Sequence, residues 1–239
     1  AFILGSVKRE FQSKYRNSLL GVAWPIIQPL AMILVYTVIF SQIMRAKLPG
    51  IDSTFAYSIY LCIGIITWSL FSEITTKAQA VFIDNANLLK KLSFPRICLP
   101  VIVILTALLN FGIIFALFTV FLILSGNFPG WVFFDCIPLL VLQVAFAIGL
   151  GITLGVLNVF FRDVGQFYAI FLQFWFWLTP IVYSSNILPA SVRPFLSFNP
   201  LFALTESYQN IFTKGIEPNW LSLWPLFLAT IIFNYLGFA

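Results

Sequence analysis

Histidine is absent from all 239 residues. That removes the commonest general base, the commonest metal ligand and the usual switch near neutral pH. Charge is also scarce: Asp, Glu, Lys and Arg make up 9% of the chain, where a soluble domain carries roughly a quarter. Cysteine is limited to Cys62, Cys98 and Cys136, far apart and in or beside apolar runs. They lack metal-ligand spacing and are expected to pack as free thiols. No G-x-x-x-x-G-K-[ST] loop occurs, and neither does a zinc-ligand or Ser-His-Asp arrangement. The chain has no chemistry that could work on a bound nucleotide, so any uphill movement must draw its energy from another chain.

What is present is apolar. Hydrophobic residues are 61% of the sequence and the mean hydropathy is +1.00. A water-soluble core of this size does not need that much apolar surface, and a bilayer gives it a place. The net charge of +5 points to the cytoplasmic lipid leaflet rather than to nucleic acid.

Six apolar segments, 22–43, 55–71, 99–124, 132–160, 167–183 and 220–238, reach or approach the ~20 residues needed to cross hydrocarbon. Residues 1–20 read differently. Leu4, Val7, Phe11, Tyr15 and Leu19 share one side of a helical wheel, with Arg9, Ser13 and Arg16 opposite. That pattern predicts a helix lying in the membrane interface, or an amphipathic helix docked on protein. The segment 184–219 is long for a connection and is broken by Pro189, Pro194 and Pro200. Its apolar pieces are too short to span and predict short re-entrant or interfacial helices on the outer face. The expected fold is an all-α membrane protein of six transmembrane helices, with an N-terminal amphipathic interface helix and short outer-face helices between spans 5 and 6. It forms one domain, 1–239, divided at 1–20, 22–183, 184–219 and 220–239.

Charge placement supports this order. With the N-terminus in the cytoplasm, the inner segments hold Lys8, Arg9, Lys14, Arg16, Lys77, Lys90, Lys91, Arg96 and Arg162, and the outer ones hold Arg45, Lys47, Arg193 and Lys214. The bias places both termini inside.

The spans carry few ionisable groups: Asp135 is near the outer end of span 4 and Glu73 near the inner end of span 2. A carrier coupled to protons or sodium usually keeps a charge near mid-membrane. The amides Gln28, Asn110, Gln143, Asn158, Gln173 and Asn234 must each find a helix–helix partner or face a wet path. Ala147, Gly151 and Gly155 form a stripe for close helix approach, within the chain or at a dimer seam. In span 5, Gln166, Ile170, Gln173 and Trp177 share a face, with Phe174 beside it. A face mixing amides with aromatic rings suits sugars, whose C–H faces stack on rings and whose hydroxyls bond to amides. Gln28 and Tyr36 of span 1 could join the same path. The plainer alternative makes Trp175, Trp177 and Tyr183 a lipid-interface belt.

The inner loop after span 2 reads DNANLLKKLSFPR over 84–96. Leu88, Leu89 and Leu92 make a short apolar strip flanked by Asp84, Asn85, Asn87, Lys90 and Lys91, and Pro95 stops the helix. It is either a docking helix for a cytoplasmic partner or an interfacial loop held by anionic lipid.

These residues resemble the permease subunit of ABC-2-type polysaccharide exporters, the family of O-antigen, capsule and teichoic acid export. The resemblance lies in LLGVAWPIIQPL (19–30), NLLKKLSFPR (87–96), LNVFFRDV (157–164), WLTPIVYS (177–184) and FNPL (198–201), in that order among six spans. It implies a transport subunit rather than an enzyme, working as a homodimer in the bacterial inner membrane. Two copies of a separate ATPase would hold ATP and Mg, leaving no cofactor in this chain. The cargo would be a lipid-linked polysaccharide, with O-antigen favoured. The resemblance makes Asp84, Asn85, Asn87, Leu88, Leu89, Lys90 and Lys91 a coupling helix. It places the path between the copies near spans 1, 2 and 5, lined by Gln28, Tyr36, Trp68, Gln166, Ile170, Gln173, Phe174 and Trp177. Arg162 and Asp163 match the motif at the inner turn after span 4 and are expected to fix it. That family usually ends in a basic tail; both ends of this sequence are expected to be trimmed. The competing readings are an ABC-2-type exporter of a drug or small lipid, and an ion-coupled carrier or membrane enzyme.

Overall fold

The computed structural model describes residues 5–7, 23–39, 55–86, 97–183, 196 and 198–238. Its helices are α1 (Trp24–Tyr36), α2 (Ala56–Asp84), α3 (Cys98–Leu124), α4 (Cys136–Phe160), α5 (Asp163–Leu178), α6 (Pro200–Lys214) and α7 (Trp224–Phe238). Short 3-10 helices, Gly130–Asp135 and Trp220–Leu223, lead into α4 and α7. Four helical stretches among the described residues are long and apolar enough to cross a membrane: Ala56–Asp84, Cys98–Leu124, Gly130–Phe160 and Trp220–Gly237. Ile26–Ile39 is a shorter apolar helix. α5, at 16 residues, rises roughly 24 Å, short of the ~30 Å hydrocarbon layer.

Cross-contacts give each helix its direction. Thr67 meets Gln143, Phe71 stacks on Phe146, and Gln79 meets Asn158, so α2 and α4 run parallel. Asn234 of α7 bonds to Ala145, and Gly237 lies against Gly149 and Thr153, so α7 runs with α4. α3 is antiparallel to α2, because Glu73 meets Asn110 while Phe55 meets Phe121. α5 is antiparallel too, with Trp68 on Trp175 and Tyr57 reaching Val182. The Tyr36 carbonyl at the end of α1 faces Ser58 at the start of α2. Helices α1 to α5 thus alternate in direction, and α7 returns the way α4 runs.

α2 and α4 form the interior. In their most apolar stretches 67% and 61% of residues are buried, against 28% in α3 and 11% in α7. The exposed apolar faces of α3 and α7 suit lipid. The Gly151–Gly155 stripe is consumed inside the chain: a Cβ at Gly151 would lie 2.6 Å from Ala78 Cβ, and one at Gly155 would lie 2.8 Å from the Ala78 carbonyl.

One expected boundary moves. The second span was expected over 55–71, but its helix continues to Asp84 because the polar residues after Phe71 are absorbed. Thr75 bonds back to Phe71, Glu73 pairs with Lys77 at 3.1 Å and with Asn110 at 2.9 Å, and Gln79 is buried. Within the segment after span 5, the described residues include α6, a 15-residue helix largely buried in protein. Leu201, Leu204, Tyr208, Ile211 and Phe212 are all buried, and the helix packs against α2. The expected interface helix over 1–20 lies outside the described residues except for 5–7.

Candidate functional site

Of the six in-span amides, four are buried or half-buried and bond between helices. Gln143 donates to the Thr67 carbonyl at 2.7 Å and Asn110 donates to Glu73. Asn234 donates to Ala145 O at 2.9 Å and Asn158 to Gln79 O at 3.1 Å. Gln28 and Gln173 are exposed. An amide on a face otherwise made for lipid is costly, and these two are the in-span amides left open on the surface of the chain.

α5 shows the pattern most clearly. Tyr168 is its one buried residue. Trp175 turns inward and meets Phe71 at 5.3 Å and Phe146 at 6.5 Å between ring centroids, while Phe171, itself exposed, lies against the Trp175 ring at 5.1 Å. The opposite side presents Gln166, Ile170, Gln173, Phe174 and Trp177, all exposed, with Trp177 at 60%. This separates the expected aromatic belt: Trp175 belongs to the core, while Trp177 faces out. Trp68 is half-buried in the α2–α5 seam, edge-on to Trp175 at 6.4 Å and to Phe176 at 5.6 Å. Phe176 in turn lies 5.5 Å from Trp177. Trp68 therefore supports the outward face from behind. Gln28 and Tyr36 sit on α1, which packs on α3 and α2, whereas α5 packs on α2 and α4. A single chain does not assemble these two groups into one wall.

At its far end α5 gives way to the non-helical residues 179–183, and every carbonyl from the last turn of α5 at 175 through 183 has a donor. The last four carbonyls of a helix lack helical partners. Here Trp175 O accepts from Thr179 Oγ1 and Phe176 O from Thr179 N. Trp177 O accepts from Tyr183 Oη and Leu178 O from Asn199 Nδ2 at 3.5 Å. Beyond the helix, Thr179 O accepts from Ile181 N, and Pro180 O accepts from Tyr60 Oη and Gln209 Nε2, each at 3.1 Å. Ile181 O accepts from Gln209 Nε2 at 3.5 Å, Val182 O from Tyr57 Oη at 2.7 Å, and Tyr183 O from Tyr60 Oη at 2.9 Å. Irregular backbone within a bilayer is stable only when satisfied this way. Asn199 joins the assembly from α6, which it caps: its Oδ1 accepts from Leu201 N and from Trp175 Nε1 at 2.9 Å, and its Nδ2 donates to Thr179 Oγ1. Residues 177–183 and 198–201, far apart as sequence motifs, are thus one structure. Tyr57, Tyr60 and Gln209 were missed from sequence. The signal available was polar side chains in apolar helices on either side of a proline-broken segment.

At the opposite end, Asp84 closes α2 and Asn85 caps it, with Nδ2 bonded to Val81 O at 2.9 Å. Asn87, Leu88, Leu89, Lys90 and Lys91 lie outside the described residues. Arg162 and Asp163 are exposed at the two-residue turn between α4 and α5, with Asp163 in the first turn of α5, where a carboxylate complements the helix dipole. The cross-link holding this turn comes from Asn158, whose Oδ1 accepts from Gly165 N at 3.2 Å while its Nδ2 reaches Gln79 O.

Residues 3–213 match the ABC-2 type transporter family. The chain is 30% identical over 233 residues to the O-antigen export system permease protein RfbA of Klebsiella pneumoniae, covering 97% of this chain and 87% of that protein. It is 32% identical over 221 residues to the protein of the same name from Myxococcus xanthus, covering 91% and 82%. It is 22% identical over 232 residues to the polysialic acid transport protein KpsM of Escherichia coli, covering 97% and 88%.

Proposed function

This chain belongs to the ABC-2 type transporter family, and from that premise we propose that it is the membrane subunit of an ATP-driven exporter of a lipid-linked polysaccharide, with O-antigen as the favoured cargo. Two copies stand together in the bacterial inner membrane. Each crosses it six times with both termini in the cytoplasm, and each is served by a separate ATPase subunit that holds ATP and Mg. The observation that carries this reading is the exposed α5 face of Gln166, Ile170, Gln173, Phe174 and Trp177. It is wrong for lipid and right for sugar rings and hydroxyls. Two such faces opposed across a dimer axis, with Gln28 and Tyr36 of α1 alongside, enclose an aromatic, amide-studded path. The alternating helix directions and the compositional charge bias support the six crossings. Asp84 and the residues through Lys91 form the cytoplasmic coupling element, and the Arg162–Asp163 turn lies at the same end.

The test is complementation. A host that makes a lipid-linked polysaccharide, with its own permease deleted, receives this chain and an ATPase subunit from the same organism. Surface polysaccharide is expected only when both are present, and purified chain alone hydrolyses no ATP. Turnover by the chain alone, or a surface that stays bare with both subunits assembled, refutes the proposal.

A further inference from the structure

The break after α5 is held by donors from two other helices, and those donors are chosen for that task. Tyr57 and Tyr60 are three residues apart on α2 and their rings stack at 6.2 Å. Their hydroxyls reach Pro180, Val182 and Tyr183 at sequence separations of 120 to 125. Gln209, 2% exposed on α6, covers Pro180 and Ile181 from the other side. Gly64 lets the strands of this clamp close: a Cβ there would lie 3.1 Å from both Gln209 Nε2 and Ile181 Cγ2. Tyr60 has one hydroxyl proton and two carbonyls within reach, at 2.9 and 3.1 Å. Gln209 secures Pro180 O whichever carbonyl the tyrosine serves.

We infer that Tyr60, with Tyr57 and Gln209, positions the outward end of the exposed α5 face by gripping the backbone of 179–183 between α2 and α6. The inference rests on the export function proposed above. A helix broken at Pro180 has no hydrogen-bonded continuation to hold its direction. The two hydroxyls and one amide replace that continuation, so a shift of α2 against α6 is passed to Trp177 and Phe174 through the gripped carbonyls. The tyrosines and Gln209 belong to no exposed face and need not touch cargo; they act through the backbone of 179–183.

The test uses Tyr57→Phe, Tyr60→Phe and the double variant, which keep the rings and remove the donors, with Gln209→Leu as an independent removal. Each is built into the full chain carrying Val182→Cys as a reporter and Cys98→Ser to lower background. Maleimide labelling of the purified chain in detergent is expected to run about tenfold faster in Tyr60→Phe, the effect of one buried hydrogen bond on a local opening equilibrium. In the assembled exporter, polysaccharide exported per ATP is expected to fall severalfold while ATP hydrolysis and dimer formation persist. Labelling at the parent rate overturns the clamp. Faster labelling with unchanged export per ATP overturns its positioning role. Misfolding of both the Tyr60→Phe and Gln209→Leu chains assigns these residues to stability alone and also overturns it. If the parent exporter moves no polysaccharide, the functional reading fails, and the labelling arm still decides the clamp.

Discussion

α4 and α5 are adjacent in sequence, joined by a two-residue turn, and both are apolar, yet they meet opposite environments. α4 buries thirteen of its residues, among them Gln143 and Asn158. α5 buries only Tyr168 and leaves Gln166 and Gln173 outside. The difference lies in side-chain size. Glycines at 149, 151 and 155 let α2 and α7 come against the α4 backbone, and at that range an amide finds a carbonyl. α5 has one glycine, Gly165 at its foot, and above it large rings prevent close approach on both sides. An amide between such rings has no hydrogen-bond partner among the described residues.

The largest effect expected from this contrast is on α4. Gly151→Leu drives a side chain into Ala78 and Thr75; overpacking of this kind costs ~3 kcal/mol or more, and thermal unfolding in detergent should show no stable folded chain. Next is Asn158→Ala, which strips partners from Gln79 O and Gly165 N. Leaving such groups unpaired costs about 1–3 kcal/mol, read as a lower melting temperature. On α5 the readout changes. Trp177→Ala should leave the melting temperature intact but cut the proposed export roughly threefold to tenfold, the size of a lost aromatic contact. Unchanged export would place that ring against lipid instead. The smallest stability effect belongs to Gln173→Leu, within ~0.5 kcal/mol, as for an exposed site. A large loss there would mean that the α5 face is buried within the folded chain, and the contrast with α4 would fail.

Much of the architecture was legible in advance. Hydropathy located the apolar segments, and the small-residue stripe announced close packing without saying against what. The structure answers with α2 and, through Gly149, α7. The α5 face was found because amides recur among its rings at helical spacing. What could not be read was which ring faces where: Trp175 and Trp177 are chemically identical, and only the positions of Phe71 and Phe146 decide that the first is core. The length of α2 was missed for a related reason. Glu73, Lys77 and Gln79 look like the end of a span, but Glu73 pairs with Lys77 and takes Asn110 from α3, and the backbone at Gln79 is tied to Asn158 of α4.

The grip on 179–183 also constrains how the chain is made. Helices enter a membrane in order of synthesis, and Tyr57 and Tyr60 are committed to it more than a hundred residues before their acceptors exist. Gln209 and Asn199 arrive later still, on a helix that closes the interior between elements already inserted. Until α6 docks, the backbone of 179–183 can receive the tyrosine hydroxyls of α2 but lacks the donors of Asn199 and Gln209. The clamp on 179–183 is therefore completed only once α6 has been made, after every helix from α1 to α5.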